Sequence, residues 1–286
     1  MKVLVAGAGG MMGRAVSEHC KAHGDEVLAY DHARLDITCA EVVEREISGV
    51  APEAVINCAA WTDVDDCERD PARSEEANAA GPETLARASR NANAVFITIS
   101  TDYVFDGTKD GFYTQHDEPK PISIYGMSKL EGERRSQLIN PRTIVVRSGF
   151  IFGIGGRNFL STIHRPLSTG ASVNAITDTW GTPTYSVHLA ARLRELAELD
   201  QPGIYHVVNA GMGASYEEFA RAVAQELDQD ESLVQGIHSS ALKRPAPRPR
   251  NSRLACLISE ARGLAPLPPW RTGVREFLAG NPLAGS

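Results

Sequence analysis

The chain has no excess of positive charge. Its 286 residues carry a formal net charge of −7, which argues against a nucleic-acid partner, since phosphate backbones are gripped by clustered Lys and Arg. No apolar run is long enough to span a bilayer, so no membrane partner is expected. A strand-like run begins at Lys2, leaving no space for a secretory leader, and a cytoplasmic location is expected. Cysteine is sparse: the five thiols are odd in number and scattered, which fits reduced side chains better than a disulfide framework. Spacings of the metal-ligand type are also scarce. His19-Cys20-x-x-His23 puts two histidines on one helix face, but no second ligand cluster accompanies them. A surface helix is the better reading, and no metal is expected. Internal repeats and long low-complexity segments are absent.

Composition is that of a globular protein, with 42% hydrophobic and 23% charged residues. The length suits two domains, or one large α/β domain with an appended lobe. Strand-like runs at Lys2–Ala6, Glu26–Tyr30, Ala54–Asn57, Ala94–Ile99 and Thr143–Arg147 alternate with helical patterns. The helical patterns cover Met11–His23, Cys39–Ser48, Ser74–Asn91 and Ile122–Ile139. This rhythm predicts a Rossmann-type, doubly wound parallel sheet with helices on both faces. Ligands of such sheets bind beyond the carboxyl ends of the strands.

The residues at those ends have chemistry to match. After the first strand comes Gly7-Ala8-Gly9-Gly10-Met11-Met12-Gly13. Gly7 permits a tight turn, Gly10 permits close approach of a pyrophosphate, and Gly13 lets helix pack on strand. The helix opening at Met11 and Met12 would then aim unpaired N–H groups at the phosphates. After the second strand, Asp31 is placed to bond adenosine ribose hydroxyls, while nearby Arg34 would suit a 2′-phosphate. NADH and NADPH therefore both stay open. Asp36 is either an acceptor for the adenine amino group or part of a helix cap, and Ile37 follows it. After the third strand, the small Ala59 and Ala60 let backbone pass close to a flat or phosphorylated ligand, and Thr62 beside them is a further candidate cofactor contact. Thr101 comes two residues after the fourth, as either a donor to a substrate oxygen or a hydroxyl bonding local backbone.

Tyr125 and Lys129 carry the most specific signal. Four residues apart on a helix, they share a face. A tyrosine hydroxyl beside a fixed ammonium can donate a proton near neutral pH, because the positive charge pulls down a phenol pKa of about 10. Downstream of a glycine-rich nucleotide loop, the pair points to a nicotinamide-dependent reductase.

The second half differs in texture. A helix is expected at Ser186–Leu199, a strand at Ile204–Asn209, and an amphipathic helix at Ser215–Leu227. On the last, Tyr216, Phe219, Val223 and Leu227 form one stripe, read as core. Residues 1–150 are expected to form a dinucleotide-binding domain, with 186–209 returning to it. Residues 151–185 and 210–286 would make a smaller C-terminal substrate-binding lobe. The basic, proline-rich run Lys243–Arg250 suits either a peptide ligand for another domain or a loop supplying arginines to an anionic substrate.

Taken together, Leu35-Asp36-Ile37-Thr38, Ile56-Asn57-Cys58-Ala59-Ala60, Ser100–Gly107, Tyr125–Glu133, Gly155–Phe159, Asp178–Thr184 and Arg248–Leu254 resemble the dTDP-4-dehydrorhamnose reductase family. That family lies within the extended short-chain dehydrogenase/reductase superfamily. The resemblance covers nearly the whole chain, and Ser100–Gly107 with Arg248–Leu254 are its most selective pieces. It implies a catalytic set of Thr101, Tyr125 and Lys129, with Asp102 and Tyr103 beside the sugar and Asn158 at a nucleotide-sugar contact. It implies NADPH or NADH as cofactor and a nucleoside-diphosphate 4-keto sugar as substrate, foremost dTDP-4-dehydro-L-rhamnose. The proline-rich run then reads as part of the substrate lobe.

Two positions depart from the family pattern. Arg147-Ser148-Gly149-Phe150 stands where the family commonly has Arg-Thr-Ser-Trp, so the smaller Phe150 is expected at the sugar in place of tryptophan. Ala15 stands where some members carry a glutamate that links a dimer through a metal; a homodimer stays open, without such a metal. The resemblance also extends to reductases and synthases of antibiotic-sugar assembly, of the dihydrostreptose type, and to the non-catalytic β subunit of methionine adenosyltransferase.

Overall fold

The computed structural model of the chain describes residues 1–281. Through the first half the order is β1 (Lys2–Ala6), α1 (Met11–Ala22), β2 (Glu26–Tyr30), α2 (Ala40–Val50), β3 (Ala54–Asn57), α3 (Val64–Arg69), α4 (Pro71–Glu75), α5 (Gly81–Asn91), β4 (Val95–Thr101), α6 (Ile124–Ile139) and β5 (Thr143–Ser148). Then come β6 (Ile151–Phe152), α7 (Phe159–Ser168), β7 (Val173–Ile176), β8 (Trp180–Gly181), β9 (Thr184–Tyr185), α8 (Ser186–Leu199) and β10 (Gly203–His206). The chain continues through β11 (Asn209–Ala210), β12 (Ala214–Ser215), α9 (Tyr216–Glu226), β13 (Val234–Ile237), α10 (Ile258–Ala261), β14 (Leu267–Pro269) and α11 (Trp270–Gly280).

Six strands form one sheet in the order β10-β5-β4-β3-β1-β2, and every pairing in it is parallel. The strands are near-continuous apolar runs because both faces are covered. On one face Val5, Ile56, Ile97 and Val146 pack against Val16 of α1 and Leu189 and Leu193 of α8. On the other, Leu4, Val55 and Phe96 pack against Val43 and Ile47 of α2 and Leu85 of α5. Each such side chain contributes about 1.5–3 kcal/mol by leaving water. A third core holds the C-terminal elements together: Leu160 and Ile163 of α7, Phe219 and Val223 of α9, and Val274 and Phe277 of α11. Chain order reverses between β1 and β3, and a crevice at the carboxyl ends follows from that switch.

Several expected bounds differ: β4 runs past Ile99 to Thr101, α2 runs past Ser48 to Val50, and three further differences have a clear local cause. The pattern over Ser74–Asn91 is not one helix: a π-turn at Glu76–Ala80 separates α4 from α5. Pro82 has no N–H to return to the carbonyl of Asn78, and its ring crowds that position, so the backbone widens there. Helix α6 starts at Ile124, not Ile122, because Ser123 caps it by accepting from the Gly126 N–H at 3.2 Å. The strand expected over Ile204–Asn209 ends at His206, and Asn209 pairs instead with Leu267 of β14. Most of the C-terminal strands are two to four residues long, too short for alternation to be read.

Candidate active site

A cavity of about 450 Å³ opens at the carboxyl ends of the sheet. It brings together Gly10, Met11, Met12, Ala59, Ala60, Thr62, Thr101, Asp102, Tyr103, Tyr125, Lys129 and Phe150, all expected from sequence. The C-terminal elements close its other side with Trp180, Tyr216 and Ser252.

The glycine loop is shaped for a close ligand. Gly7 sits at φ +78°, and a Cβ there would stand 2.6 Å from the Ala59 nitrogen. A Cβ on Gly13 would overlap the Gly7 carbonyl and lie 2.6 Å from the Ala8 Cα. Gly10 is different: the nearest atom to its missing Cβ is 3.5 Å away, and it borders the cavity. Gly10 caps α1 without any side-chain bond, and the first turn holds no acidic residue. The N–H groups of that turn are therefore free for an anion. These features fit a dinucleotide pyrophosphate.

Asp31, Asp36 and Ile37 lie away from the cavity lining. Asp31 stands 3.5 Å from the Cβ position of Gly9 and accepts from the Arg34 N–H at 3.1 Å. The Arg34 guanidinium is turned over the Tyr30 ring, 4.5 Å from its centroid. Asp36 accepts from both the N–H and the hydroxyl of Thr38 with one oxygen, a local turn that precedes α2; the cap position itself is Cys39, which makes no side-chain capping bond. Ile37 is buried against Gly81.

Tyr125 lies in the first turn of α6, where the Ser123 cap fixes it. Two glycines press this helix against its neighbours: a Cβ on Gly126 would overlap the Tyr103 carbonyl, and one on Gly132 would overlap that of Asn78. Lys129 is 4% exposed and donates to the Ile99 carbonyl at 2.7 Å. Burial brings its pKa down to about 8, against the pull of Glu133 one turn further on. Burial also raises the Tyr125 phenol above its ordinary value, and the neighbouring Thr101 hydroxyl only partly offsets this. The expected depression of Tyr125 by Lys129 is thus overturned. The ammonium is engaged by a carbonyl, and desolvation dominates. Tyr125 consequently keeps its proton, as an acid must.

Thr101 ends β4 and turns into a short 3-10 turn at Asp102–Val104. Its hydroxyl donates to Asp102 Oδ1 at 3.0 Å and accepts from the Tyr103 N–H at 3.1 Å. Ser252 donates to the other oxygen of Asp102. Burial pushes the Asp102 carboxyl up to about 6, and the two hydroxyls pull the other way. Behind them, Glu133 accepts from Ser100 and forms a buried pair with Arg147, whose Nη2 is 2.6 Å from its Oε2. That pair ties α6, β4 and β5 together directly beneath the cavity.

Phe150 has φ +47°, a strained conformation for an aromatic residue. It leaves β5 towards the C-terminal elements, with its centroid 4.4 Å from Tyr216 and 5.0 Å from Phe219. Reading Tyr216 as core was half right. Its ring belongs to that cluster, but α9 begins at the cavity, so residue 216 also lines it. Asn158 is not brought into the lining. It caps α7 by accepting from Ser161, and its amide donates to the carbonyls of Gly153 and Gly156 at 2.8 and 3.1 Å. The proline-rich run is an ordered loop: Arg248 and the Ala246 N–H both bind Asp65. Tyr216, Trp180, Ser148 and Ser252 were missed as cavity residues, although Trp180 lies within Asp178–Thr184 and Ser252 within Arg248–Leu254, two of the motifs that carry the resemblance.

The profile of the RmlD substrate binding domain family matches residues 1–281. A dTDP-4-dehydrorhamnose reductase of Streptomyces griseus is 37% identical, over 99% of this chain and 96% of its own. A probable dTDP-4,6-dihydroxy-2-methyloxan-3-one 4-ketoreductase of Streptomyces antibioticus is 35% identical, over 96% of this chain and 94% of its own. The crystal structure of a Bacillus anthracis dTDP-4-dehydrorhamnose reductase in complex with NADP superposes with a TM-score of 0.93 and 29% identity. That superposition covers 98% of this chain and all of the other. A loop for a dinucleotide, a Thr-Tyr-Lys set at the strand ends and this full-length likeness converge: the chain belongs to the dTDP-4-dehydrorhamnose reductase family.

Proposed function

We propose that this protein is an NADPH- or NADH-dependent reductase of the 4-keto group of a nucleoside-diphosphate sugar, foremost dTDP-4-dehydro-L-rhamnose, giving dTDP-L-rhamnose. The carrying observation is that Thr101, Tyr125 and Lys129 line one cavity between the glycine loop and the C-terminal elements. When bound, the nicotinamide supplies the hydride. The Gly7–Gly13 loop and the N–H groups opening α1 hold the pyrophosphate, while Asp31, Asp36 and Ile37 serve the adenosine end. Ala59, Ala60 and Thr62 leave room for the cofactor backbone. Residues 1–150 with 186–209 act as the cofactor half, and 151–185 with 210–286 as the substrate lobe.

In this reading the phenol of Tyr125 donates its proton to the sugar oxygen as that oxygen gains charge. General acid catalysis of this kind contributes about 10²–10⁴ in rate. Thr101 orients the same oxygen. Lys129 binds the nicotinamide ribose, and its charge lowers the cost of forming the phenolate once Tyr125 has given up its proton. Asp102 and Tyr103 meet the sugar hydroxyls, and Phe150 flanks the ring. Asn158 acts at one remove, by shaping the Gly153–Gly156 turn beside Met11. A homodimer is compatible with this reading.

Gly149 and Phe150 favour a second reading within the same chemistry, a reductase for a different 4-keto deoxysugar. The Streptomyces antibioticus relative, named for another keto sugar, supports it. Cofactor oxidation against a panel of dTDP- and UDP-linked 4-keto sugars tests both. Turnover of dTDP-4-dehydro-L-rhamnose above all others supports the first reading, and preference for another keto sugar supports the second. No turnover of any, with cofactor still bound, would leave a binding subunit.

A further inference from the structure

Among the described residues, three buried side-chain polar atoms lack a hydrogen-bond partner: the hydroxyls of Ser136 and Ser148 and Nε2 of His206. Of these residues only Ser148 lines the cavity, where it is 2% exposed. A buried hydroxyl without a partner is costly, and in native proteins such groups generally have one. Ser148 is therefore built to be satisfied by what the cavity holds.

Its position says which ligand. Ser148 is the last residue of β5 and lies in register with Thr101, the last of β4. Side chains alternate along a strand. Ser148 follows Ile144 and Val146, and Thr101 follows Ile97 and Ile99, all in the core against α1 and α8. Arg147 and Ser100 point the other way, to Glu133 of α6. The Ser148 and Thr101 hydroxyls thus stand side by side, about 5 Å apart, on the face from which the glycine loop and α1 rise. Beyond Ser148 the chain turns away: Gly149 backs onto Asp102, and Phe150 joins the aromatic cluster with Tyr216. Ser148 stays with Met12, Cys58 and Ile99, which pack on the α1 and α8 face of the sheet and also line the cavity.

We propose that Ser148 is a cofactor-binding residue whose hydroxyl hydrogen-bonds the carboxamide of the nicotinamide, anchoring that ring beside the carbonyl held by Thr101. A hydroxyl both donates and accepts, and a primary amide offers both complements. The inference rests on the reading that a nicotinamide dinucleotide binds here.

Ser148→Ala tests it without turnover. Removing an unsatisfied hydroxyl leaves the ligand-free melting temperature unchanged or higher. The Kd for NADPH (or NADH, whichever the wild type binds more tightly) rises about five- to tenfold. The Kd for the matching fragment without nicotinamide, 2′-phospho-ADP-ribose or ADP-ribose, does not change. Equal weakening for dinucleotide and fragment would overturn the assignment to the carboxamide. An unchanged dinucleotide Kd with a raised KM for the nucleotide sugar would move Ser148 to the substrate. A lower ligand-free melting temperature with no binding effect would make the hydroxyl structural. If the wild type itself bound no dinucleotide, the reductase reading would fail first.

Discussion

Gly149→Ala is the substitution whose cost follows most directly from this cavity. The backbone of Gly149 runs against the Asp102 carboxyl group. A methyl at residue 149 would overlap the carboxyl carbon, and even the farther oxygen would be 2.7 Å from it. Reaching ordinary contact requires the carboxylate to retreat by about 1 Å, and interiors resist such shifts. That carboxylate is pinned on both oxygens, by the Thr101 and Ser252 hydroxyls. Overpacking of this kind costs about 1–3 kcal/mol, and losing one hydrogen bond to a charged group adds about 1.5–3 kcal/mol. Partial relaxation brings the expected loss to about 2–4 kcal/mol. Because Thr101 moves with Asp102, and displacement by about 1 Å costs about a hundredfold in rate, kcat should fall about ten- to a hundredfold. Urea denaturation at pH 7 and steady-state kinetics measure the two effects. The double variant Gly149→Ala/Asp102→Ala should be no less stable than Asp102→Ala alone, since the overlapping group is gone. A Gly149→Ala protein within about 0.5 kcal/mol of wild type, with unchanged kcat, would refute the reasoning.

Two further perturbations probe other parts of the account. Phe150→Trp narrows the sugar side of the cavity, and aromatic contact of this type is worth about 0.5–1.5 kcal/mol; kcat/KM for dTDP-4-dehydro-L-rhamnose should rise a few-fold while that for bulkier keto sugars falls, and no change for any substrate would place the ring away from the sugar. His206 is buried, with Nδ1 2.9 Å from the Ala255 carbonyl, and burial with the nearby Arg147 charge brings its pKa from 6.5 down to about 4. The unfolded chain therefore binds a proton that the native state refuses as pH falls from 6.5 towards 4, and this residue's share of stability is lost across that window, about 2 kcal/mol by pH 5. Urea denaturation at pH 7.5 and 5 should show His206→Gln losing less stability than wild type by that amount, and identical acid sensitivity would contradict it.

Much of this was legible in sequence because it is local. Strand, glycine turn and helix lie within residues 2–22, and Tyr125 and Lys129 are one helical turn apart. The sites at the strand ends follow from alternation and the parallel-sheet rule. What stayed hidden is non-local. Ser252 meets Asp102 across 150 residues of chain, and no spacing encodes that contact. The amphipathic stripe of α9 identifies a buried face, but not that Tyr216, in its first turn, reaches the cavity edge. Trp180 lies in a two-residue strand, below the length at which a period is visible. Ser148 ends the face of β5 that Ile144 and Val146 begin, and only its missing partner marks it.

The central claim is that Tyr125 gives the proton in a cofactor-dependent reduction of a 4-keto nucleotide sugar. Tyr125→Phe removes only the hydroxyl, so its most direct test is NADPH or NADH oxidation by wild type and variant with dTDP-4-dehydro-L-rhamnose, alongside dinucleotide Kd. The account predicts turnover by wild type, a kcat about a hundredfold lower or worse in the variant, and an unchanged Kd. Near-normal turnover by the Phe variant would contradict it.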